Sequence, residues 1–134
     1  MSYGVIIRSR FNSSRLPGKA LLKIKNKEML LRQIERLQYF SNIPIVLATS
    51  TDVSDDPIVD LCKKYKINYH RGPLDNVVQR FIECAKFYKF KYVIRVGGDD
   101  PLIDPECCIK LKLENEKEDQ DLIYASCREG WPYG

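Results

Sequence analysis

Apolar runs of strand length alternate with amphipathic helical stretches along this chain, and that alternation restricts the fold more than any other feature of the sequence. Residues 3–9 are rich in β-branched side chains and read as a buried strand. Residues 20–24 read as a short extended piece, with a turn at 25–27. Met29, Leu30, Ile34, Leu37 and Phe40 recur at helical spacing, so a helix is expected over 28–39, with Glu28 in its first turn and Asn42 and Pro44 after its end. Residues 45–48 form a second buried strand, and 49–56 a polar loop. Asp56-Pro57 has the pattern of a cap followed by a first-turn proline, opening a helix over 58–65. A short strand at 67–69 and a turn at 71–73 follow. Asp75 is expected to cap a helix over 76–88 whose inner face carries Val77, Val78, Phe81, Ile82 and Ala85. Strand 92–96, a helix from Asp104-Pro105 to about Glu116 and strand 121–125 complete the series. The expected fold class is therefore α/β, a sandwich with a mostly parallel sheet.

In such sheets ligands sit beyond the carboxyl ends of the strands. Three polar loops leave carboxyl ends here, at 8–19, 49–56 and 97–100, and they are expected to converge. The first, RSRFNSSRLPGK from Arg8 to Lys19, carries three arginines and a lysine. Guanidinium forks match phosphate oxygens in pairs, lysine adds a point charge, and Asn12, Ser13 and Ser14 can turn backbone N–H groups inward. A nucleoside triphosphate is the expected occupant, against the competing reading of a solvated basic loop. The loop is not a Walker P-loop, because the leading glycine is missing and Ala20 stands where a hydroxyl would hold magnesium; no GxGxxG pattern is present either. Glycines at 97 and 98 permit close backbone approach, and Asp99 beside a triphosphate suits a Mg²⁺ ligand, with Asp100 a turn residue.

Composition sets the remaining bounds. A length of 134 residues suits one domain. A net charge of +4 suits an anionic ligand, while the interspersed acids give no reason to expect nucleic acid. No apolar run has the length of a membrane span, and residues at the start lack a signal-peptide pattern, so a cytoplasmic location is the default expectation. Five cysteines without a CxxC spacing read as free thiols, and with one histidine a zinc site is not expected. Cys107-Cys108 reads as two helix positions of which one is buried. His70 is expected at a structural or substrate-edge position, and Phe87, Tyr88, Phe90 and Tyr92 as a cluster closing the core or an interface.

The stretch from Ile6 to Leu21 (IIRSRFNSSRLPGKAL) resembles the opening motif of the cytidylyltransferases that activate acidic sugars, a family that includes the acylneuraminate and 3-deoxy-manno-octulosonate enzymes. The likeness is greatest to the spore-coat polysaccharide biosynthesis branch. Further matches follow in order: VLATS at 46–50, Asp55-Asp56, Arg71-Gly72, DNV at 75–77, Arg80, and RVGGDDPLIDP at 95–105. The resemblance implies a Rossmann-like nucleotidyltransferase fold, a three-layer α/β/α sandwich, that binds CTP and Mg²⁺. By it, Arg10, Ser13, Arg15 and Lys19 would hold the triphosphate, with Arg10 and Lys19 also catalytic. Ala48, Thr49 and Ser50 would lie near cytosine and ribose, Arg71 and Asp75 at the nucleotide's edge, and Asp99 on the metal. A sugar hydroxyl would attack the α-phosphorus of CTP and release pyrophosphate.

Two departures stand out: Asn12 replaces a glycine common in the loop, and Asp100 stands where the spore-coat branch often has cysteine. The family pattern also continues beyond Gly134. Residues 1–134 are therefore expected to be the nucleotide-binding N-terminal portion, with the acceptor-sugar contacts and much of a homodimer interface elsewhere. Trp131 and Tyr133 are expected to have had partners there. Competing expectations are another nucleotidyltransferase, a glycosyltransferase of related fold, and a non-catalytic nucleotide-binding module. The adjacent carboxylates at 99–100 count against the glycosyltransferase, which usually presents Asp-x-Asp.

Overall fold

The computed structural model describes residues 3–12, 16–40, 42–98 and 105–117. Four parallel strands make the main sheet: β1 (Tyr3–Arg8), β4 (Ile45–Ser50), β5 (Tyr69–Gly72) and β6 (Tyr92–Gly97), in the order β5-β4-β1-β6. Two further strands, β2 (Lys23–Ile24) and β3 (Lys27–Glu28), form a separate antiparallel hairpin. The helices are α1 (Met29–Phe40), α2 (Asp56–Tyr65), α3 (Val77–Phe87) and α4 (Pro105–Lys117).

Strand alternation sorts the core into two faces. Val5 and Ile7 of β1, Ile45 and Leu47 of β4, and Ile94 and Val96 of β6 pack with Leu30, Ile34 and Leu37 of α1, Ile58 and Leu61 of α2, and Cys108 of α4. Ile6, Val46 and Ala48 face the other way, onto Cys84, Phe81 and Ala85 of α3. The three layers expected from sequence are thus present, with α3 alone on its side among the described residues. That side also holds the aromatics Phe87, Tyr88 and Phe90, with the Tyr88 hydroxyl donating to Tyr69 O at 2.9 Å. Tyr92 leaves this group and stacks on Tyr3, ring centroids 4.8 Å apart. His70 lies against the Phe87 ring.

Several local expectations are corrected. Residues 19–21 form a 3-10 turn, and Lys23-Ile24 then pairs with Lys27-Glu28 around Lys25 and Asn26, both at positive φ (51° and 67°). That hairpin takes Glu28 out of the first turn of α1, which begins at Met29. β4 extends through Thr49 and Ser50 because β5 continues the ladder beside it, Thr49 opposite Arg71 and Ser50 opposite Gly72. The strand expected at 67–69 therefore runs instead from Tyr69 to Gly72, and no turn forms at Arg71.

The N-cap of α2 is Asp55, not Asp56, and its side chain makes no capping bond. Asn76, not Asp75, caps α3: its side chain accepts from Gln79 N at 2.9 Å. The inner face of α3 is also rotated from the one expected. Val78 and Ile82 are 67% and 40% exposed, while Arg80 and Cys84 are buried. Cys62, Cys84 and Cys108 are buried free thiols and Cys107 is half-buried, as expected of that pair. Burial pushes the Cys62 thiol up to about 12 and the Cys84 thiol up to about 11. The expected strand at 121–125, Asp104, Cys127, Trp131 and Tyr133 lie outside the described residues.

Candidate active site

Strand β1 delivers the chain into the basic loop, and the structure fixes both stems of that loop. Ser9 N donates to Ala48 O at 3.1 Å, which carries the β1–β4 pairing past the strand end. Gly18 N donates to Phe11 O at 2.7 Å, so the two stems meet there. Gly18 sits at φ 76°, a conformation that glycine adopts without steric cost, and the Phe11 ring lies within 3.1 Å of where a Cβ would be.

The loop hangs on a carboxylate under it. Asp55 is fully buried; its Oδ1 accepts from Phe11 N at 2.7 Å, and its Oδ2 accepts from Arg10 Nε at 3.1 Å, from Ser50 N at 3.3 Å and from the Ser50 hydroxyl. Burial pushes this carboxyl up, but the bonds from Ser50, Phe11 and Arg10 outweigh it and hold it below its ordinary value. The convergence of the loops after β1 and β4 is therefore a salt bridge with backbone support. The end of β6 joins from the other side. Gly98 lies so close to β1 that a Cβ would come within 2.5 Å of Arg8 O, and the fully buried Gln33 of α1 donates from Nε2 to Gly97 O at 2.7 Å.

Between these stems and α3 opens a cavity of about 330 Å³. It lies outside the carboxyl ends of β1 and β6, where the chain has crossed from one side of β1 to the other, the switch point that ligands of open α/β sheets occupy. Arg8, Ser9, Arg10, Asn12 and Lys19 line it from the basic loop, Gly98 from the β6 end, and Leu74, Val77 and Arg80 from the α3 side. Among the described residues, four of the lining side chains are cationic and none is acidic.

Of the residues expected at a nucleotide, Arg10 and Lys19 line this cavity. Ser13, Arg15 and Asp99 lie outside the described residues. Ala48, Thr49 and Ser50 are buried in β4 and do not line it; Ser50 serves Asp55 instead. Arg71 closes the 50–56 segment, donating to Ser50 O at 2.7 Å and Asp52 O at 2.8 Å and pairing with Asp56 at 2.8 Å. Asp75 is exposed, next to the lining residue Leu74. Among the described residues no group of three or more His, Cys, Asp or Glu could hold a metal ion. The described lining is cationic, so it does not by itself fit Mg²⁺; the one carboxylate expected on the metal, Asp99, is outside it.

Reasoning from sequence missed Asp55 as the anchor and Arg80 as a lining residue. Arg80 had a signal: it shares a helical face with Val77, Phe81 and Cys84, and a charged residue on an apolar face has to be paired or used. Burial lowers the pKa of its guanidinium, Arg10 and Arg8 push the same way, and Asp55 opposes them.

Residues 4–129 match the family model described as Cytidylyltransferase. The chain is 35% identical over 120 residues to 3-deoxy-manno-octulosonate cytidylyltransferase of Photorhabdus laumondii, covering 84% of this chain and 45% of that protein. It is 31% identical over 106 residues to the spore coat polysaccharide biosynthesis protein SpsF of Bacillus subtilis, covering 75% and 44%. Among solved structures, a cytidylyltransferase from Leptospira borgpetersenii superposes with a TM-score of 0.79 at 32% identity, over 90% of this chain and 51% of that one. The CMP:2-keto-3-deoxy-manno-octonic acid synthetase complexed with CTP gives 0.75 at 25% identity, over 91% and 50%. The chain thus spans about half the length of these relatives.

Proposed function

The chain belongs to the cytidylyltransferase family, and from that premise we propose that it binds CTP and, in its working form, transfers the cytidylyl group to a hydroxyl of an acidic sugar with release of pyrophosphate. The observation that carries the reading is the cavity at the β1/β6 switch point, whose charged lining is wholly cationic among the described residues. A polyphosphate neutralises that charge, and a cavity of about 330 Å³ is of small-ligand size. The similarity to a synthetase solved with CTP supports cytosine as the base. SpsF supports a place in surface polysaccharide synthesis.

In this reading Arg10 and Lys19 hold the triphosphate. Asp55 fixes the direction of Arg10, so the guanidinium is in place before the nucleotide arrives. Arg15 and Ser13 of the same sequence loop are assigned to the triphosphate with them, and Arg71 and Asp75 to the nucleotide's edge. Ala48, Thr49 and Ser50 act from beneath, through the β4 backbone and Asp55. The reaction is an in-line displacement at the α-phosphorus, so the protein supplies position and positive charge as pyrophosphate leaves. Mg²⁺ on Asp99 would neutralise phosphate charge and orient the leaving group. A homodimer and a cytoplasmic location belong to the proposal for the longer form; among the described residues no helix is long and apolar enough to cross a membrane.

Isothermal titration with CTP, UTP, GTP and ATP in Mg²⁺ tests the reading. CTP is expected to bind best, and Arg10→Ala to weaken it at least tenfold. Equal affinity for all four, or binding indifferent to Arg10, refutes it. Pyrophosphate release by a longer natural form supplied with CTP and an acidic sugar tests the transfer itself.

A further inference from the structure

Arg80 is 2% exposed, and its position is set by its neighbours. Gly72 leaves room for it: a Cβ there would stand 2.6 Å from Arg80 Cγ. Its Nε donates to Pro73 O at 2.9 Å and its Nη2 to Leu74 O at 3.1 Å. Its Nη1 is buried with no hydrogen-bond partner among the described residues, although the residue lines the cavity. Ser9 Oγ, on the same lining, is likewise buried and unpartnered.

Two carbonyls satisfy hydrogen bonds but carry no net charge. A buried cation without a counter-ion is strongly disfavoured, and a structural arginine normally has a carboxylate beside it; among the described residues none pairs with Arg80. Asp55 attracts Arg80 electrostatically but is already committed to Arg10, Phe11 and Ser50. Arg8 and Arg10 add repulsion. The missing partner is therefore an anion, and the cavity is where one can enter.

We propose that Arg80 is a phosphate-binding residue of this site, a buried guanidinium held by the Pro73 and Leu74 carbonyls that meets polyphosphate oxygens from the α3 wall. The inference rests on the nucleotide reading above and adds to it a residue outside the basic loop. Arginine suits the role better than lysine, because its rigid fork spends two donors on the carbonyls and keeps a third for the ligand. A neutral base edge would leave the cation uncompensated, which favours phosphate over cytosine as the contact.

The test compares the 134-residue chain with Arg80→Met and Arg80→Lys, titrated with CTP, inorganic triphosphate and cytidine. A charge-assisted hydrogen bond implies a loss of roughly 10- to 100-fold for CTP and for triphosphate in Arg80→Met. Arg80→Lys is expected to recover part of that loss, and cytidine affinity to stay as in the parent. Equal losses for CTP and cytidine would mark a base contact or a purely structural role and overturn the proposal, as would unchanged triphosphate affinity. Circular dichroism establishes that the variants fold. Should Arg80→Met fail to fold, Arg80→Lys decides: an unchanged ratio of triphosphate to cytidine affinity overturns the proposal. A parent chain that binds neither CTP nor triphosphate refutes the nucleotide reading itself, a result distinct from any of these.

Discussion

Asp55→Asn removes one negative charge and two lone-pair sites from beneath the basic loop while keeping the side-chain shape. The consequence follows from the donor count. An asparagine that keeps its oxygen toward Phe11 N turns its NH₂ toward Arg10 Nε, Ser50 N and the Ser50 hydroxyl. The hydroxyl can rotate and accept, but the other two groups are donors only. Ser50 N is buried and loses its acceptor, a cost of about 1–3 kcal/mol. Arg10 has 29% of its side chain exposed and can turn to water, so its lost pairing adds about 1 kcal/mol or less. A total of roughly 1–4 kcal/mol corresponds to a fall in Tm on the order of 10 °C for a chain of this length.

The pH dependence carries the sign. Asp55 has its folded pKa depressed below an ordinary value of 3.8, so its stabilisation is fully present above about pH 4 and is lost as pH falls through the folded pKa. The Tm gap between parent and variant should therefore stay constant around neutrality and narrow in acid below about pH 4. Thermal melts followed by circular dichroism across pH give the gap, and titration with CTP gives the accompanying loss of affinity as Arg10 swings free. A variant with the parent's Tm and CTP affinity refutes the anchoring role. So does a gap that narrows as pH rises.

Gly98→Ala should destabilise the chain by about 1–3 kcal/mol and weaken CTP binding, because the new Cβ meets Arg8 O at 2.5 Å and Ser9 Cβ at 2.9 Å; a urea melt matching the parent's would contradict it. Lys25→Asn with Asn26→Gly should stabilise by about 1 kcal/mol, since both positions have positive φ in a two-residue hairpin turn. The hairpin does not line the cavity, so CTP affinity should not change; a lower denaturation midpoint would show that the turn is not the strained element. Cys62 and Cys84, with thiols pushed up to about 12 and about 11, should resist alkylation in the folded chain near neutral pH and react on unfolding. Mass spectrometry reads both states, and rapid labelling of the folded chain would contradict their burial.

The parallel sheet was legible because hydrophobic runs such as Val5–Ile7 and Ile45–Leu47 carry a local signal that survives folding. The errors arose where tertiary pairing overrode a local preference. Arg71-Gly72-Pro73 has turn composition, yet the ladder against Thr49 and Ser50 holds Arg71 and Gly72 extended. Asp75 and Asn76 are both good caps, and only the folded backbone selects Asn76; an inner face of α3 drawn through its apolar residues takes in Val78 and Ile82 and leaves out the buried Arg80. Arg10 and Lys19 were readable as cavity residues because their charge sits in a loop leaving a strand's carboxyl end. Asp55 was not, because a carboxylate that faces inward is indistinguishable in sequence from the polar loop around it.

That inward carboxylate resolves an electrostatic conflict in the site. A cavity lined by Arg8, Arg10, Lys19 and Arg80 is self-repelling when empty, and an acid exposed in it would relieve the repulsion by competing with the ligand. Asp55 avoids that competition. Its Oδ1 accepts from Phe11 N and its Oδ2 from Ser50 and Arg10 Nε, on the buried side of the loop. It therefore orients one guanidinium while staying fully buried and off the cavity lining. The remaining positive charge is left for the nucleotide to neutralise, and binding should stabilise the fold in proportion to ligand concentration. Adding CTP or inorganic triphosphate should raise the Tm of the parent chain progressively, and raise that of Arg10→Ala less. A Tm that is indifferent to both ligands would mean that the cationic lining is not under that electrostatic load.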